Sequence, residues 1–246
     1  IIEKDVLKWI VVNGNETIET DKLILAIGHS ARDTYEMIHA KWLKMVPKEF
    51  SMGVRIEHDA NMINRSQFWD ACVNPKLGTA SYKLVTHGAD TRTMYSFCMC
   101  PGGHVVAASS EEGKLCINGM SEYKHNSGIS NSALMIPITP ADFDSDHPLA
   151  WIEFQRKWEE KAFVLGGSNY HAPAQLVGDF LAGVPSTKLG SILTTYRPGI
   201  KMTSLEECLP DFITLGWRYE LVIVNFLGID SYADKRFVAF FWFWYY

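Results

Sequence analysis

The feature that most constrains this chain is a short apolar run that ends at a glycine and leads into a polar segment. Residues 23–27 are apolar without a break, and Gly28 follows them. A run this short and apolar predicts a buried strand rather than a helix. Apolar residues then recur at helical spacing from Ser30 to about Trp42. Ser30 is a suitable N-cap, and Asp33 is placed to complete a capping box.

This strand, glycine and helix start are compatible with two interpretations. The free N–H groups of a helix N-terminus, beside a residue without a side chain, suit an anion or the edge of a dinucleotide. The same junction also occurs as an ordinary turn in any α/β protein. The local pattern by itself leaves both open.

Composition and net charge exclude some classes of function but say less about the fold. The chain has 246 residues, which suits one large domain or two small ones, and its net charge is −5 with a pI near 5.9. Such a balance does not provide the basic surface that nucleic-acid binding requires. Five irregularly spaced cysteines predict no disulfide framework and favour a reducing, cytoplasmic compartment. We expect a small-molecule substrate, no nucleic-acid or membrane partner, and no metal site.

The two ends of the chain suggest an internal fragment of a longer protein. The first residue is Ile1, and the chain opens directly into strand-like sequence. The last ten residues, 237–246, are almost all aromatic. A helical bilayer span needs about 20 apolar residues, so we expect an atypical aromatic tail and not a membrane helix.

Several strands and helices are predicted by local pattern. Asn13-Gly14 between two β-rich runs, residues 6–12 and 16–20, is a strong hairpin signal. Residues 114–118 and 131–138 predict further strands. Residues 147–166 predict an amphipathic helix that stops at Gly166-Gly167. Two shorter helices are expected at 174–181 and from Ser204 onward.

Residues 50–58 alternate apolar and polar side chains, which predicts a half-buried strand. Arg55 and Glu57 fall on its polar face. One interpretation is a solvated or ion-paired surface, which contributes little to stability. The other is that Arg55 faces a bound ligand.

The segment Pro101-Gly102-Gly103 separates two β-rich runs and predicts a hairpin turn. Strand alternation in the first run places Cys98 and Cys100 on one face. C-x-C is not the C-x-x-C spacing of thioredoxin-like pairs, and no further zinc ligands stand out. Core packing, a thiol that faces a bound ligand and a metal site remain as alternatives. The backbone of the two glycines would allow close approach to a flat ring.

The loop after residue 118 contains His125, whose ordinary pKa suits proton transfer at neutral pH. A loop histidine is more often simply solvated. Cys98, Cys100 and His125 are therefore the candidate catalytic residues, and no acid or base stands out among them.

Four blocks of the sequence together resemble a known family. They are LAIGHSARDT, FSMGVRIEH, YSFCMCPGGHVVAASSEEGKLCINGMSEY and NSALMIPI, in this order along the chain. They resemble the FAD-dependent dehydrogenases of bacteria and archaea, a group of NAD(P)/FAD-dependent oxidoreductases. The similarity covers roughly residues 6–230.

The resemblance implies a flavoprotein with FAD as cofactor and NAD(P)H as a candidate electron donor. It implies a two-dinucleotide-binding, glutathione-reductase-like α/β FAD domain with an inserted β-rich substrate domain. In the family, a glycine-rich FAD motif lies upstream of this sequence and a second flavin segment lies downstream. No G-x-G-x-x-G occurs in this chain, so we expect that the chain alone does not hold FAD tightly.

The site residues follow from combining the resemblance with the patterns above. Those expected to contact the cofactor are Ala26, Ile27, Gly28, His29, Ser30 and Arg32. Those expected on the substrate side are Arg55, Pro101, Gly102, Gly103 and Asn118.

We expect three regions. Residues 1–49 are the remnant of the FAD domain, and residues 50–198 are a β-rich substrate domain with helices. Residues 199–246 are a helix that returns toward the FAD domain, followed by the aromatic tail. The expected function is hydride transfer between an organic substrate or NAD(P)H and flavin. The alternatives are an RNA-modifying or binding protein built on a flavin domain, and a truncated product without activity.

Overall fold

The chain divides into two compact units, residues 1–43 and 44–246. A computed structural model describes residues 1–4, 6–41, 43–87, 92–190, 193–219 and 238–244. The mixed α and β class expected from the sequence is confirmed. The glutathione-reductase-like arrangement and the three predicted regions stay predictions.

The first unit contains two small antiparallel ribbons. In one, β1 (Ile2–Glu3) pairs with β2 (Val6–Leu7), and in the other β3 (Trp9–Val12) pairs with β4 (Glu16–Glu19). Asn13 and Gly14 have φ values of 51° and 75°, the left-handed conformation that an Asn-Gly hairpin turn requires. The predicted hairpin is therefore confirmed.

The predicted buried strand at residues 23–27 is wrong. These residues form no strand, and Leu23, Ile24 and Leu25 are 56%, 92% and 51% exposed. A strand is stable only when neighbouring strands take up its backbone hydrogen bonds. The described part of this unit provides no such neighbour, so the apolar run stays extended and uncovered.

The helix after this run is present, but its start differs from the prediction. α1 spans Arg32–Ala40, and its N-cap is Ala31, which makes no capping bond. Ser30 Oγ instead lies 3.1 Å from His29 Nε2, and the Asp33 carboxylate accepts the adjacent Thr34 N–H at 2.8 Å. The predicted capping box is therefore wrong, and Trp42 lies outside the described residues.

The described residues of the second unit contain nine strands. They are β5 (Phe50–Asp59), β6 (Val85–Thr86), β7 (Met94–Cys100), β8 (Gly103–Ala107), β9 (Ile117–Ser121), β10 (Ile129–Ile138), β11 (Ala172–Leu176), β12 (Ile200–Met202) and β13 (Val238–Trp244). Seven of them form one sheet in the order β12-β11-β13-β5-β10-β7-β6, and β8 pairs with β9 in a separate ribbon. The tail predicted as atypical thus includes a strand of the main sheet.

The helices of the second unit are α2 (Ala60–Phe68), α3 (Ala150–Gly166), α4 (Val177–Ala182) and α5 (Asp211–Tyr219), with 3-10 turns at Trp69–Val73, Pro140–Asp142 and Leu205–Cys208. α3 ends at Gly167 with φ 105°, as predicted. No helix among the described residues has the length and apolar character to cross a membrane.

β5 is the central strand of the sheet. It pairs antiparallel with β10 on one side and with β13 on the other. Residues 50–58 are buried on both faces of the sheet. The prediction of a half-buried strand with a solvated polar face is therefore wrong, because alternation alone does not reveal what covers the polar face.

Three further predictions change in the structure. β7 and β8 do not form a hairpin, since β7 pairs with β6 and β10 while β8 pairs with β9. Residues 172–176 form β11, and only the part from Val177 is helical. Leu205–Cys208 is a 3-10 turn whose N-cap, Ser204, makes no side-chain capping bond. In each case tertiary pairing overrides a local signal.

The hydrophobic core lies in the second unit. Its centre consists of apolar residues of β5 and β10 and of the inward face of α3, including Met52, Val54, Ile56, Met135, Ile136, Phe154 and Ala162. Because the apolar face of β5 packs into this core, its polar residues are directed to the opposite face of the sheet. This geometry produces the candidate site.

Candidate functional site

A buried arginine lies at the centre of the polar face of the sheet. Arg55 is 0% exposed, and its Nη1 donates to Asn131 Oδ1 at 2.5 Å and to the carbonyl of Cys98 at 3.1 Å. Its Nη2 lies 3.4 Å from Asn118 Oδ1. The guanidinium therefore joins β5, β7, β9 and β10. We call Arg55, Asn118, Asn131, Cys98 and Cys100 the Arg55 cluster.

A glycine makes room for this cluster. A Cβ atom at Gly119 would lie 2.1 Å from Arg55 Nη1 and 2.2 Å from Asn131 Oδ1, far inside contact distance. The position therefore requires glycine for close approach. The sequence block that contains Asn118 was assigned to the site by resemblance, and the structure brings it together with Arg55.

The strand that carries the two cysteines contains a bulge. Asn131 is opposite Cys100 and Ala133 is opposite Phe97, so β7 has one residue more than β10 in this interval. Cys98 has φ 45°, a conformation usually taken by glycine at the first position of a bulge. As a result Cys98 is exposed and Cys100 is buried. Simple alternation, which gave both thiols the same environment, is wrong here.

The two thiols share one electrostatic environment. Cys100 Sγ lies 3.2 Å from the Cys98 carbonyl and 3.8 Å from Arg55 Nη1. A hydrogen bond from the Cys100 thiol, together with the Arg55 charge, lowers the pKa of Cys98 to about 6. The same hydrogen bond, with burial, raises the pKa of Cys100. Cys98 is therefore the thiol of the pair that ionises at neutral pH.

The glycines of the adjacent turn approach the chain's own backbone. A Cβ at Gly102 would lie 1.9 Å from the His125 carbonyl oxygen, and one at Gly103 would lie 2.3 Å from that of Met120. Gly102 N–H donates to Ser130 Oγ at 3.1 Å. The structure thus supplies a packing reason for both glycines. Their predicted contact with a substrate, and that of Pro101, stays a prediction.

A buried carboxyl group lies on the same sheet face as Arg55. Glu57 is 0% exposed, and its Oε1 accepts bonds from the Thr195 N–H at 2.9 Å and from the Thr195 hydroxyl. Its Oε2 has no hydrogen-bond partner among the described residues. Burial raises the pKa of Glu57, and the bonds from Thr195 oppose that shift.

Glu57 is directly opposite Asn131 in the β5–β10 register. Directly opposed side chains on one face of an antiparallel pair lie close together. Asn131 Nδ2, like Glu57 Oε2, has no partner among the described residues although Asn131 is fully buried. A buried donor, Asn131 Nδ2, and a buried acceptor, Glu57 Oε2, are therefore close together, and neither has a hydrogen-bond partner among the described residues.

Sequence reasoning missed the next residue of β5 and its partner. His58 and Tyr82 are both buried, and His58 Nε2 lies 2.9 Å from the Tyr82 hydroxyl oxygen. Burial lowers the pKa of His58 to about 4 and raises that of Tyr82. The only signal in the sequence was the dense polar pattern at residues 55–58 within an otherwise apolar strand.

His125 is not part of this arrangement. It lies in an exposed loop with φ 49°, and its carbonyl accepts a bond from Thr79 Oγ1 at 2.6 Å. Within the described ranges, no hydrogen bond involves its imidazole. Its predicted role as an acid or base stays a prediction.

The residues predicted to contact FAD lie in the first unit, around the start of α1. Gly28 has φ 71° and open space beside it, and its carbonyl accepts the Tyr35 hydroxyl at 3.0 Å. Burial and the nearby Arg32 charge lower the pKa of His29. The residues predicted with them include Ala26, Ile27 and Ser30.

Residues 26–28 lie in no described sheet, so their backbone N–H and C=O groups are not used in strand pairing. Their predicted contact with a flavin ring stays a prediction. The Asp33 carboxylate lies at the start of α1, where it would repel a phosphate.

A groove of about 690 Å³ runs along α3, and several of its charged residues are paired. Lys114 bonds Glu160 at 2.5 Å, and Arg156 bonds Glu153 at 2.8 Å. The described residues also contain no group of three or more His, Cys, Asp or Glu side chains suited to a metal ion.

Comparison with known proteins gives the class to which this arrangement belongs. Residues 49–224 match the family described as FAD-dependent protein, C-terminal domain-like. The chain belongs to this family. A relative from Clostridium beijerinckii, named only as an uncharacterized protein, is 50% identical over 231 residues. That alignment covers 93% of this chain and 43% of the relative, so the chain spans less than half the relative's length.

Proposed function

We propose that this chain is part of an FAD-dependent oxidoreductase and that the second unit provides its substrate side. The proposal joins family membership to one observation. That observation is the pair of buried, unsatisfied polar atoms, Asn131 Nδ2 and Glu57 Oε2, beside the Arg55 cluster. Buried polar atoms are nearly always paired in native proteins, so such a pair is where a polar ligand group fits.

In this proposal the residues of the sheet bind and orient the substrate. Asn131 donates a hydrogen bond from Nδ2, while Arg55 holds the other end of the same amide. Glu57, kept in position by Thr195, accepts or donates a proton at Oε2. Burial raises the pKa of Glu57, which favours the protonated form of this carboxyl group.

FAD, when bound, supplies the acceptor or donor of the hydride. The residues proposed to hold it are the backbone of Ala26, Ile27 and Gly28, with His29, Ser30 and Arg32 around the following helix start. NAD(P)H as the electron donor stays a prediction. An RNA-related role and an inactive product are the alternatives.

The test is a visible absorption titration of the purified chain with FAD. We expect the flavin bands to shift on binding, and we expect Gly28→Trp to weaken that binding at least about tenfold by filling the open space. Gly14→Trp is the matched control, because Gly14 also has positive φ and open surroundings but lies in the β3–β4 turn. Equal loss in both variants would contradict the proposed contact.

A second measurement addresses the substrate side. Substrates of different classes are added to the FAD-loaded chain, or to the loaded longer protein if the chain binds weakly, and flavin bleaching is followed. We expect Glu57→Gln to lower the bleaching rate about 10²-fold while FAD binding is unchanged. An unchanged rate would remove Glu57 from the proposed role.

A further inference from the structure

Cys98 and Cys100 differ in the way that a two-thiol exchange site requires. Cys98 is exposed and Cys100 is 5% exposed. An incoming disulfide therefore meets Cys98 first, and Cys100 lies behind it. None of the cysteines of the described chain is in a disulfide, so both thiols are available.

Backbone conformation supports a special role for Cys98. A side chain at φ 45° is strained, and glycine would remove that strain. The bulge that creates this conformation also turns Cys98 outward from the regular alternation of β7. Backbone strain is concentrated at functional sites, so the strained conformation of Cys98 motivates a functional hypothesis for this residue.

Arg55 places a positive charge next to the two cysteines. Its Nη1 reaches both the Cys98 carbonyl at 3.1 Å and Cys100 Sγ at 3.8 Å. A fixed positive charge stabilises a thiolate beside it, and a thiolate is the attacking form in disulfide exchange. The Arg55 charge thus serves whichever sulfur carries the negative charge during the exchange.

We infer that Cys98 and Cys100 form a thiol–disulfide exchange site that reduces small or protein-borne disulfides. The Cys98 thiolate attacks one sulfur of the substrate disulfide, which forms a mixed disulfide and releases one thiolate. Cys100 then loses its proton to solvent and attacks Cys98 Sγ, which releases the second thiolate. Two electrons pass from the two cysteines to the substrate, and a Cys98–Cys100 disulfide remains.

The inference goes beyond the proposed function, because the half-reaction needs no flavin. It is tested on the full chain without FAD, so its outcome is independent of the titration described above. The probe is 5,5′-dithiobis(2-nitrobenzoate), whose released thiolate is coloured. All proteins carry Cys72→Ser, which removes a partly exposed thiol.

We expect the parent chain to release two equivalents of coloured thiolate in a fast phase and to lose the mass of two hydrogens. Cys100→Ser should release one equivalent and keep the probe as a stable adduct. Cys98→Ser should lose the fast phase. If Cys98→Ser keeps the fast phase, or Cys100→Ser releases two equivalents, the inference is wrong.

The role of Arg55 as a positioning residue has its own readout. The rate of the fast phase should be half-maximal near pH 6 in the parent. Arg55→Gln should move that midpoint upward by about one pH unit, whereas Arg65→Gln, which removes an exposed charge on α2, should not. Equal midpoints in both variants would overturn the role.

Since Arg55→Gln perturbs a buried site, the unmodified chain provides a second measurement. Brief alkylation with iodoacetamide at pH 6.5, followed by peptide mapping, should label Cys98 before Cys72. Prior labelling of Cys72 would overturn the inference without any variant.

Discussion

Glu57 and His58 are neighbours in β5 whose titration makes the stability depend on pH in opposite directions. Burial raises the pKa of Glu57 and lowers the pKa of His58, because it disfavours the charged form of each. The folded state therefore disfavours ionised Glu57 as the pH rises. It also disfavours protonated His58 as the pH falls. The two effects overlap between about pH 4.5 and 6.5, the ordinary values of the two groups.

Glu57→Gln should stabilise the chain at alkaline pH. A raised pKa in the folded state means that stability is present at low pH and is lost as the pH rises through that value. Removing the ionisable group should therefore raise the free energy of unfolding at pH 8 by roughly 1–3 kcal/mol, the penalty of a buried unsatisfied group. Urea unfolding at pH 8 and pH 4.5 measures this. A gain that is the same at both pH values would show that ionisation is not its source.

His58→Gln should flatten the acid side of the stability profile. The unmodified chain should lose up to about 3 kcal/mol as the pH falls from 6.5 to about 4, since the unfolded chain takes up the proton first. Gln keeps a hydrogen bond to the Tyr82 hydroxyl but cannot titrate. Unfolding followed by tryptophan fluorescence at several pH values tests this, and an unchanged acid slope in the variant would contradict it.

At the scale of elements, the strands could be predicted better than their partners. The alternation in residues 50–58 and the apolar run at 131–138 located β5 and β10 correctly. The sequence could not show that β5 has a strand on each side, one of them from the far end of the chain. For this reason a solvated surface remained one of the two interpretations of Arg55 and Glu57, although both are fully buried.

The β7 bulge marks a second limit of local pattern. One extra residue changes which face every later side chain takes, so the contrast between Cys98 and Cys100 was not accessible from spacing. The prediction for residues 23–27 failed for a different reason, because the sequence favours a strand but no strand among the described residues pairs with this run. Of the candidate site, Arg55 and Asn118 were found together, while the importance of Glu57 and of the His58–Tyr82 pair was not.

The ribbon formed by β8 and β9 gives a sharp test of the Arg55 cluster. Gly119→Ala should push Arg55 and Asn131 apart and cost about 1–3 kcal/mol of stability, as overpacking of a tight interior does. Gly216→Ala is the matched control. Gly216 lies in α5, where alanine favours the helix. Its Cβ would lie 3.4 Å from the Ile136 side chain. Thermal unfolding of both variants measures this. A loss of stability confined to Gly119→Ala would support tight packing at the Arg55 cluster, and an equal loss in both variants would contradict it.

For the whole molecule, the two units should differ in how readily their backbones open. β4 is exposed along its whole length, whereas β5 and β10 are almost entirely buried. We expect amide hydrogens of β5 and β10 to exchange most slowly and those of residues 1–43 to exchange orders of magnitude faster. Hydrogen–deuterium exchange with mass spectrometry measures this, and equal protection in both units would contradict it.

The pairing of β5 with β13 also sets the order in which the molecule can assemble on a ribosome. Glu57 is opposite Val238, so this edge of β5 is paired only after residue 238 has been synthesised. At roughly 5–20 residues per second, the edge of β5 waits many seconds for its partner. During that interval a nascent chain presents an unpaired, largely apolar strand, which makes it a natural client for chaperones that bind extended apolar segments.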